Sequence, residues 1–149
     1  MASLIAQAAD AVNDELNAET FSESFTATRK WVAKWELEDL KKLRVTVLPG
    51  PATFEALNRG ADEKRLDVDV VIQQRVTPEE NTRQDELAAF LEELIEHFRG
   101  LALDAGTTGM ICLKRTLIPG QAAAIANPEA LTDWRTFDAV LRLNWLMRQ

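Results

Sequence analysis

The chain is poor in the residues that staple or catalyse. It has one cysteine (Cys112), one histidine (His97) and no tyrosine. A single cysteine excludes an intramolecular disulfide, so a core must hold the fold. That usage suits synthesis in a reducing cytoplasm. A single histidine obliges any histidine-based triad or metal site to use His97. No apolar run approaches the ~20 residues that a membrane-spanning helix needs. The opening MASLIAQAADAVNDELN lacks a basic region and carries acids early, so it does not read as a secretory signal. Basic residues are in deficit: 17 Lys and Arg against 24 Asp and Glu give a net charge of −7. A compact nucleic-acid binder usually shows a basic face, and this balance argues against that role. Net charge does not locate charges, so a local basic patch stays open.

The rest is ordinary for a globular domain, with 46% hydrophobic and 28% charged residues. A chain of 149 residues buries roughly 68–70% of its unfolded surface. No repeat, low-complexity tract or linker divides it, so one domain, 1–149, is expected.

Periodicity predicts the elements. Leu4, Ile5, Ala8, Val12 and Leu16 mark one face of a helix over 3–18, with Ser3 as N-cap. From Phe25 to Trp35 the period becomes two. Phe25, Ala27, Arg29, Trp31, Ala33 and Trp35 take one face, and charged or β-branched residues take the other, which predicts a strand. ELEDLKK connects it to a second strand, Leu43–Leu48, which Pro49-Gly50-Pro51 is expected to stop. Residues 52–65 are ambiguous: ATFEAL fits a short strand or a helical turn, and NRGADEKR reads as a polar loop centred on Asn58-Arg59-Gly60. Over 66–74, Leu66, Val68, Val70 and Ile72 alternate with Asp67, Asp69, Val71 and Gln73, a clear strand.

The strongest helix is 82–99, with Leu87, Phe90, Leu91, Leu94, Ile95 and Phe98 on one face. Thr77-Pro78-Glu79-Glu80 has capping-box spacing, and Thr82-Arg83-Gln84-Asp85 offers a second start. Gly100 stops the helix. LALDAGTTG reads as a loop, Met110–Ile118 as a strand ending at Pro119-Gly120, and 121–135 as a small-residue run with a turn at Asn127-Pro128. In the last strand, Phe137–Met147, the residues Phe137, Ala139, Leu141, Leu143, Trp145 and Met147 share a face. The expected fold class is α+β: a single domain with a mainly antiparallel sheet of about five strands and two helices packed on it.

No constellation rises to a catalytic, cofactor or metal site. His97 reads as a surface or capping residue at the end of an acidic helix, and Cys112, inside Met110-Ile111-Cys112-Leu113, as a small buried hydrophobe. Asp67 and Asp69 share a strand face without a third ligand in register, which is the pattern of a solvated face. Gly106-Thr107-Thr108-Gly109 matches no phosphate-binding fingerprint and reads as a turn. The acids Asp85, Glu86, Glu92, Glu93 and Glu96 form an outer helix face, either solvated or turned to a partner or a DNA passage. Lys30, Lys34, Lys41, Lys42 and Arg44 either guard a sheet edge or meet a neighbour's acidic helix. Four tryptophans (Trp31, Trp35, Trp134 and Trp145) suit a core or an interface. The candidate interface residues are Lys30 and Lys34 against Glu92, Glu93 and Glu96 of a neighbouring subunit.

The order of segments resembles small proteins from the structural-gene clusters of tailed bacteriophages and prophages. It runs through LIAQAADAVNDELN, FTATRKWVAKWELEDL with LRVTVLP, LDVDVVIQQRV, ELAAFLEELIEHF and FDAVLRLNWLMR. Among these it is most similar to the tail terminators, also called tail-completion or neck proteins. The resemblance implies an α+β fold, a homo-hexameric ring and no enzymatic activity or cofactor. It implies synthesis in the host bacterial cytoplasm and residence in the virion neck, away from any membrane. The implied partners are further copies of the chain, the tail tube protein and a head-side neck or connector protein. DNA would pass through the ring without sequence-specific binding, and an acidic subunit suits that passage because like charges repel. A head-completion, stopper or head-tail adaptor protein is the alternative neck component. The other classes are a metal-dependent enzyme using Asp67 and Asp69 and a nucleic-acid module using Lys30, Lys34, Lys41 and Lys42.

Overall fold

A computed structural model describes residues 3–36, 38–58, 61–77, 79–118 and 136–148. Helix α1 spans Leu4–Ala18 and begins where expected. Ser3 is extended, and its hydroxyl accepts the Ala6 N–H at 3.4 Å. Ala8, Ala9, Val12 and Leu16 are buried, and the small alanines let the helix lie close against the sheet.

The sheet has six strands in the order β1-β2-β3-β6-β5-β4, one more than the sequence suggested. They are β1 (Ala27–Arg29), β2 (Arg44–Asn58), β3 (Ala61–Arg75), β4 (Ala102–Ala105), β5 (Thr108–Ile118) and β6 (Thr136–Arg148). All neighbours are antiparallel except β1 and β2. The second helix, α2 (Asn81–His97), joins β3 to β4. The fold is a single α+β domain with both helices on one face of a curled sheet. The curl is visible in α1, which touches β1 and β2 at one edge and β4 at the other.

The alternation in β3 and β6 is used as read. Leu66, Val68, Val70 and Ile72 on β3 face the helices, as do Phe137, Ala139, Leu141, Leu143, Trp145 and Met147 on β6, and all are buried. Phe90 and Phe98 of the helix layer are also fully buried, and Phe98 meets the Trp145 ring edge-on at a centroid distance of 6.2 Å. Truncating any of these rings to alanine removes roughly 3–5 kcal/mol.

Four segments depart from the sequence reading. The strand expected over 25–35 is a ladder only at Ala27–Arg29, and it runs parallel to β2. A parallel pair cannot be joined by a tight turn. Residues 30–36 and 38–43 therefore return across the sheet as a strap with a short 3-10 turn at Asp39–Lys41. The indole N–H of Trp35 donates to the Thr46 hydroxyl at 2.9 Å, and Thr46 points to the sheet face opposite the helices. The alternation from Lys30 to Trp35 is that of an extended strap.

Second, β2 does not stop at Pro49-Gly50-Pro51. It bulges between Pro49 and Ala52 and continues to Asn58 opposite Ala61. Beyond Val47 no described strand flanks the outer side of β2, and prolines at edges and bulges cost few ladder bonds. Of the ambiguous stretch, residues 52–58 and 61–65 thus belong to the distal half of a long β2–β3 pair; the Arg59-Gly60 part of the expected loop lies outside the described residues. Third, LALDAGTTG is not a plain loop: Ala102–Ala105 pairs with Thr108–Ile111 around Gly106, whose φ of +64° favours glycine. Fourth, α2 starts at Asn81 with Glu80 as its N-cap, between the two expected starts. Glu80 still reaches back, accepting the Thr77 N–H and hydroxyl at 3.1 Å each. The reading of 121–135, including Trp134, lies outside the described residues.

Gly50 shows how closely the bulge is built. A Cβ there would sit 2.9 Å from both the Cβ and the carbonyl oxygen of Asp67. Gly50→Ala is therefore expected to lose ~1–3 kcal/mol of stability, read as a lower urea midpoint with an unchanged slope.

Candidate subunit-interaction surfaces

The exposed cations and acids singled out in the sequence do not lie free in equal measure. The Lys30 ammonium sits 3.5 Å from the centroid of the Trp35 ring, and Arg44 stacks on the same indole at 4.9 Å. A cation held over an indole is attracted by the ring quadrupole, so Lys30 helps to pin the strap. Lys34 is exposed and has no side-chain partner among the described residues. Trp31 and Val32 stand out from the strap at 64% and 67% exposure. Trp31 is touched by the Arg29 guanidinium at 5.5 Å, and Arg29 itself pairs with Asp10 of α1 at 2.9 Å.

The three acids behave differently from one another. Glu93 is tied inward: its carboxylate accepts the backbone N–H and the hydroxyl of Ser22. It fastens the segment between α1 and β1 to α2, so it is not free to meet a partner. Glu96 makes a loose pair with Arg99 at 3.5 Å, both side chains 70% exposed, a contact worth little in water. Glu92 is exposed and unpaired among the described residues, and so is Asp85, seven positions earlier on the same helix face. The structure therefore keeps Lys34, Glu92 and Glu96 at the surface and withdraws Lys30 and Glu93 into the fold.

A basic groove of about 590 Å³ opens where the strap rejoins the sheet. Lys41, Lys42 and Arg44 line it together with Ser24 and Thr26. Arg83 closes one end, donating to Gln74 Oε1 and pairing with Glu23 at 2.7 Å. The Glu23 hydrogen bond holds the Arg83 guanidinium above its ordinary pKa against the cost of its burial. The clustering of the strap cations was legible in the sequence, but nothing there pointed to Arg83, Ser24 or Thr26, which only folding brings to them.

Asp67 and Asp69 lie on the sheet face away from the helices, and each is occupied. Asp69 holds Arg142 in a two-point contact, Nε to Oδ1 at 2.9 Å and Nη2 to Oδ2 at 3.0 Å. That bond raises the Arg142 pKa. Asp67 accepts from the Asn144 amide. Both are cross-strand neighbours on β6, so the pair serves the β3–β6 ladder. Among the described residues no group of three His, Cys, Asp or Glu side chains is placed to hold a metal. No described helix is long and apolar enough to cross a membrane.

His97 is not a surface residue. Its Nε2 lies 3.0 Å from Glu15 Oε1, bridging α2 to α1, and its ring packs edge-on against Phe21 and Phe98. Cys112 is buried as expected, and desolvation pushes its thiol up to about 11. A thiol so seldom ionised is a poor nucleophile at neutral pH. Asn17 was not singled out in the sequence. Its amide bonds both the N–H and the C=O of Ala27, at 2.7 and 3.0 Å. It thereby occupies the outer edge of β1 as a further strand would.

Asp138 is the most perturbed described carboxylate. Burial raises its pKa, partly offset by a hydrogen bond from Gln73, its neighbour across the ladder. Gln73 Oε1 is buried without a partner. A raised folded pKa means stability that is full below the unfolded value of ~3.9. It is lost as pH rises through the folded value. Asp138→Asn removes that loss and supplies an N–H for Gln73 Oε1. The variant is expected to melt above the parent at pH 7, with the gap closing below pH ~4. Equal melting curves at pH 7 would contradict the assignment.

Comparison with known proteins finds no family model and no curated protein that matches this chain.

Proposed function

We propose that this chain is a ring-forming structural subunit of a phage neck, acting as a tail terminator that caps the tail tube and meets the head-side connector. The observation that carries the reading is the placing of exposed apolar side chains. Trp31 and Val32 stand at the β1 flank, while Ile111 and Leu113 stand on β5 at 41% and 50% exposure. β1 and β5 are four strand positions apart around the curled sheet. Exposed large apolar groups beside cations have the composition of interface centres.

Phe54 on β2 is a third exposed apolar site, at 55%. Unlike apolar sites on one subunit favour heterologous contact, in which one flank of a copy meets a different flank of the next. Such contacts close into rings when the rotation permits. The acidic balance of −7 suits a ring around DNA that must slide without sticking. The resemblance in segment order supplies the remaining specifics: six copies, the tube and the connector.

Mass photometry and negative-stain microscopy of the purified chain, alone and with tail tubes, test this reading. Rings, or a cap formed on tubes, are expected. Trp31→Ala with Val32→Ser should raise the concentration needed for assembly at least tenfold while shifting stability by no more than ~0.5 kcal/mol, as exposed substitutions do. Rings that leave tubes uncapped would favour the alternative neck component. A monodisperse monomer with no capping activity would sink the proposal.

A further inference from the structure

We propose that the basic groove beneath the strap receives the outer, acidic face of α2 from a second copy of this chain. This rests on the ring reading and names the surfaces that would carry it. Lys41, Lys42 and Arg44 line the groove together with the hydroxyls of Ser24 and Thr26, and no carboxylate lines it. Lys41 is partly used by Glu38 at 2.8 Å, an exposed pair. Arg44 donates its Nε to the Asp39 carbonyl and approaches the Asp39 carboxylate only at 3.9 Å. Lys42 has no partner among the described residues. Arg83 is neutralised by Glu23 and Glu86, so the positive charge the fold leaves over is that of Lys42, of the exposed Lys41 and of the half-buried Arg44, with two hydroxyls in the same lining.

The surface with the matching surplus is α2. Asp85 and Glu92 are exposed and unpaired among the described residues, and Glu96 has only its loose contact with Arg99. Asp85 and Glu92 are seven residues apart, so they share a face about two turns long, ~10 Å. An extended segment covers a similar distance in three or four residues, and the chain is extended at Lys42 and again from Arg44 along β2.

A chain cannot place this face in its own groove. Arg83 lines the groove and Asp85 lies two positions later, ~200° around the helix, pointing away. The pairing is therefore between copies, groove to helix, and it is head-to-tail in the sense a ring needs. Complementary charge of this kind fixes register and rejects wrong neighbours. Lys30 and Glu93 play no part in it, because Trp35 and Ser22 already hold them.

Two charge-reversed chains test the pairing. Lys41→Glu/Lys42→Glu makes the groove acidic, and Asp85→Lys/Glu92→Lys makes the helix face basic. Alone, each opposes like charges at every contact, and the concentration for assembly should rise at least tenfold. Mixed in equal amounts they restore opposite charges at every contact, and assembly should return to within about threefold of the parent. A folding defect in either variant would not be repaired by mixing. Parent-like assembly by both single variants would overturn the groove contact and leave the ring reading standing. Defective variants that mixing does not rescue would overturn the pairing of these two surfaces. A parent chain that stays monomeric alone and on tail tubes would overturn the ring reading, and this proposal with it.

Discussion

The ladder between β3 and β6 runs in unbroken register from Glu63 opposite Arg148 to Arg75 opposite Thr136. It joins side chains 73 positions apart, as in Asp69 and Arg142. Closing such a contact is entropically costly, and two features repay it. One face carries an uninterrupted set of buried apolar groups from both strands, to which the helices contribute Leu87, Phe90, Leu91, Leu94 and Phe98. The other face carries the Asp69–Arg142 and Asp67–Asn144 pairs. A slip of one residue would move every apolar group to the polar face, and the polar pairs would part at the same time. β2 and β5 then dock on either side of a fixed template.

The curl of the sheet follows from what fills it. α1 presents Ala8, Ala9, Val12 and Leu16, a narrow apolar stripe that β1, β2 and β4 reach from two sides. Gly106, at the β4–β5 turn, lies against Gln7 of α1, with 3.0 Å between a notional Cβ and the amide oxygen. Ties outside the core hold the same arrangement: His97 to Glu15 between the helices, Glu93 to Ser22, and Asn17 to Ala27. These polar contacts consume groups that look like free surface in the sequence. What is left unsatisfied includes the exposed apolar side chains Trp31, Val32, Phe54, Ile111 and Leu113, Lys34 on the strap, the basic groove and the outer face of α2.

Much of the fold was legible because one-sided burial writes itself as periodicity. The helices at 3–18 and 82–99 and the strands at 66–74 and 137–147 fall within a few residues of α1, α2, β3 and β6. The reading failed where a local pattern has two tertiary outcomes. FTATRKWVAKW alternates like a strand, but its ladder ends at Arg29 and the rest is a strap. Pro49-Gly50-Pro51 reads as a stop, but an edge position and a bulge let β2 run through it. Ala102–Ala105 is only four residues before a glycine turn, too short to announce β4, which exists because β5 offers it an edge. Of the candidate interface residues, Lys34, Glu92 and Glu96 are at the surface, while Lys30 and Glu93 are engaged within the chain.

By itself the sequence determined the class of the molecule: a disulfide-free α+β domain with a net negative charge and no local motif of catalysis. Composition and period are sufficient for that, because burial of one face per element is a local demand. Tertiary structure alone decided which charges are spent and which are spare. It tied Glu93 to Ser22 and laid Lys30 on Trp35. It also drew Arg83 to the strap lysines, across 41 intervening positions from Lys41. Whether a side chain is free depends on what lies across from it, and that is set by register and packing between segments distant in the chain.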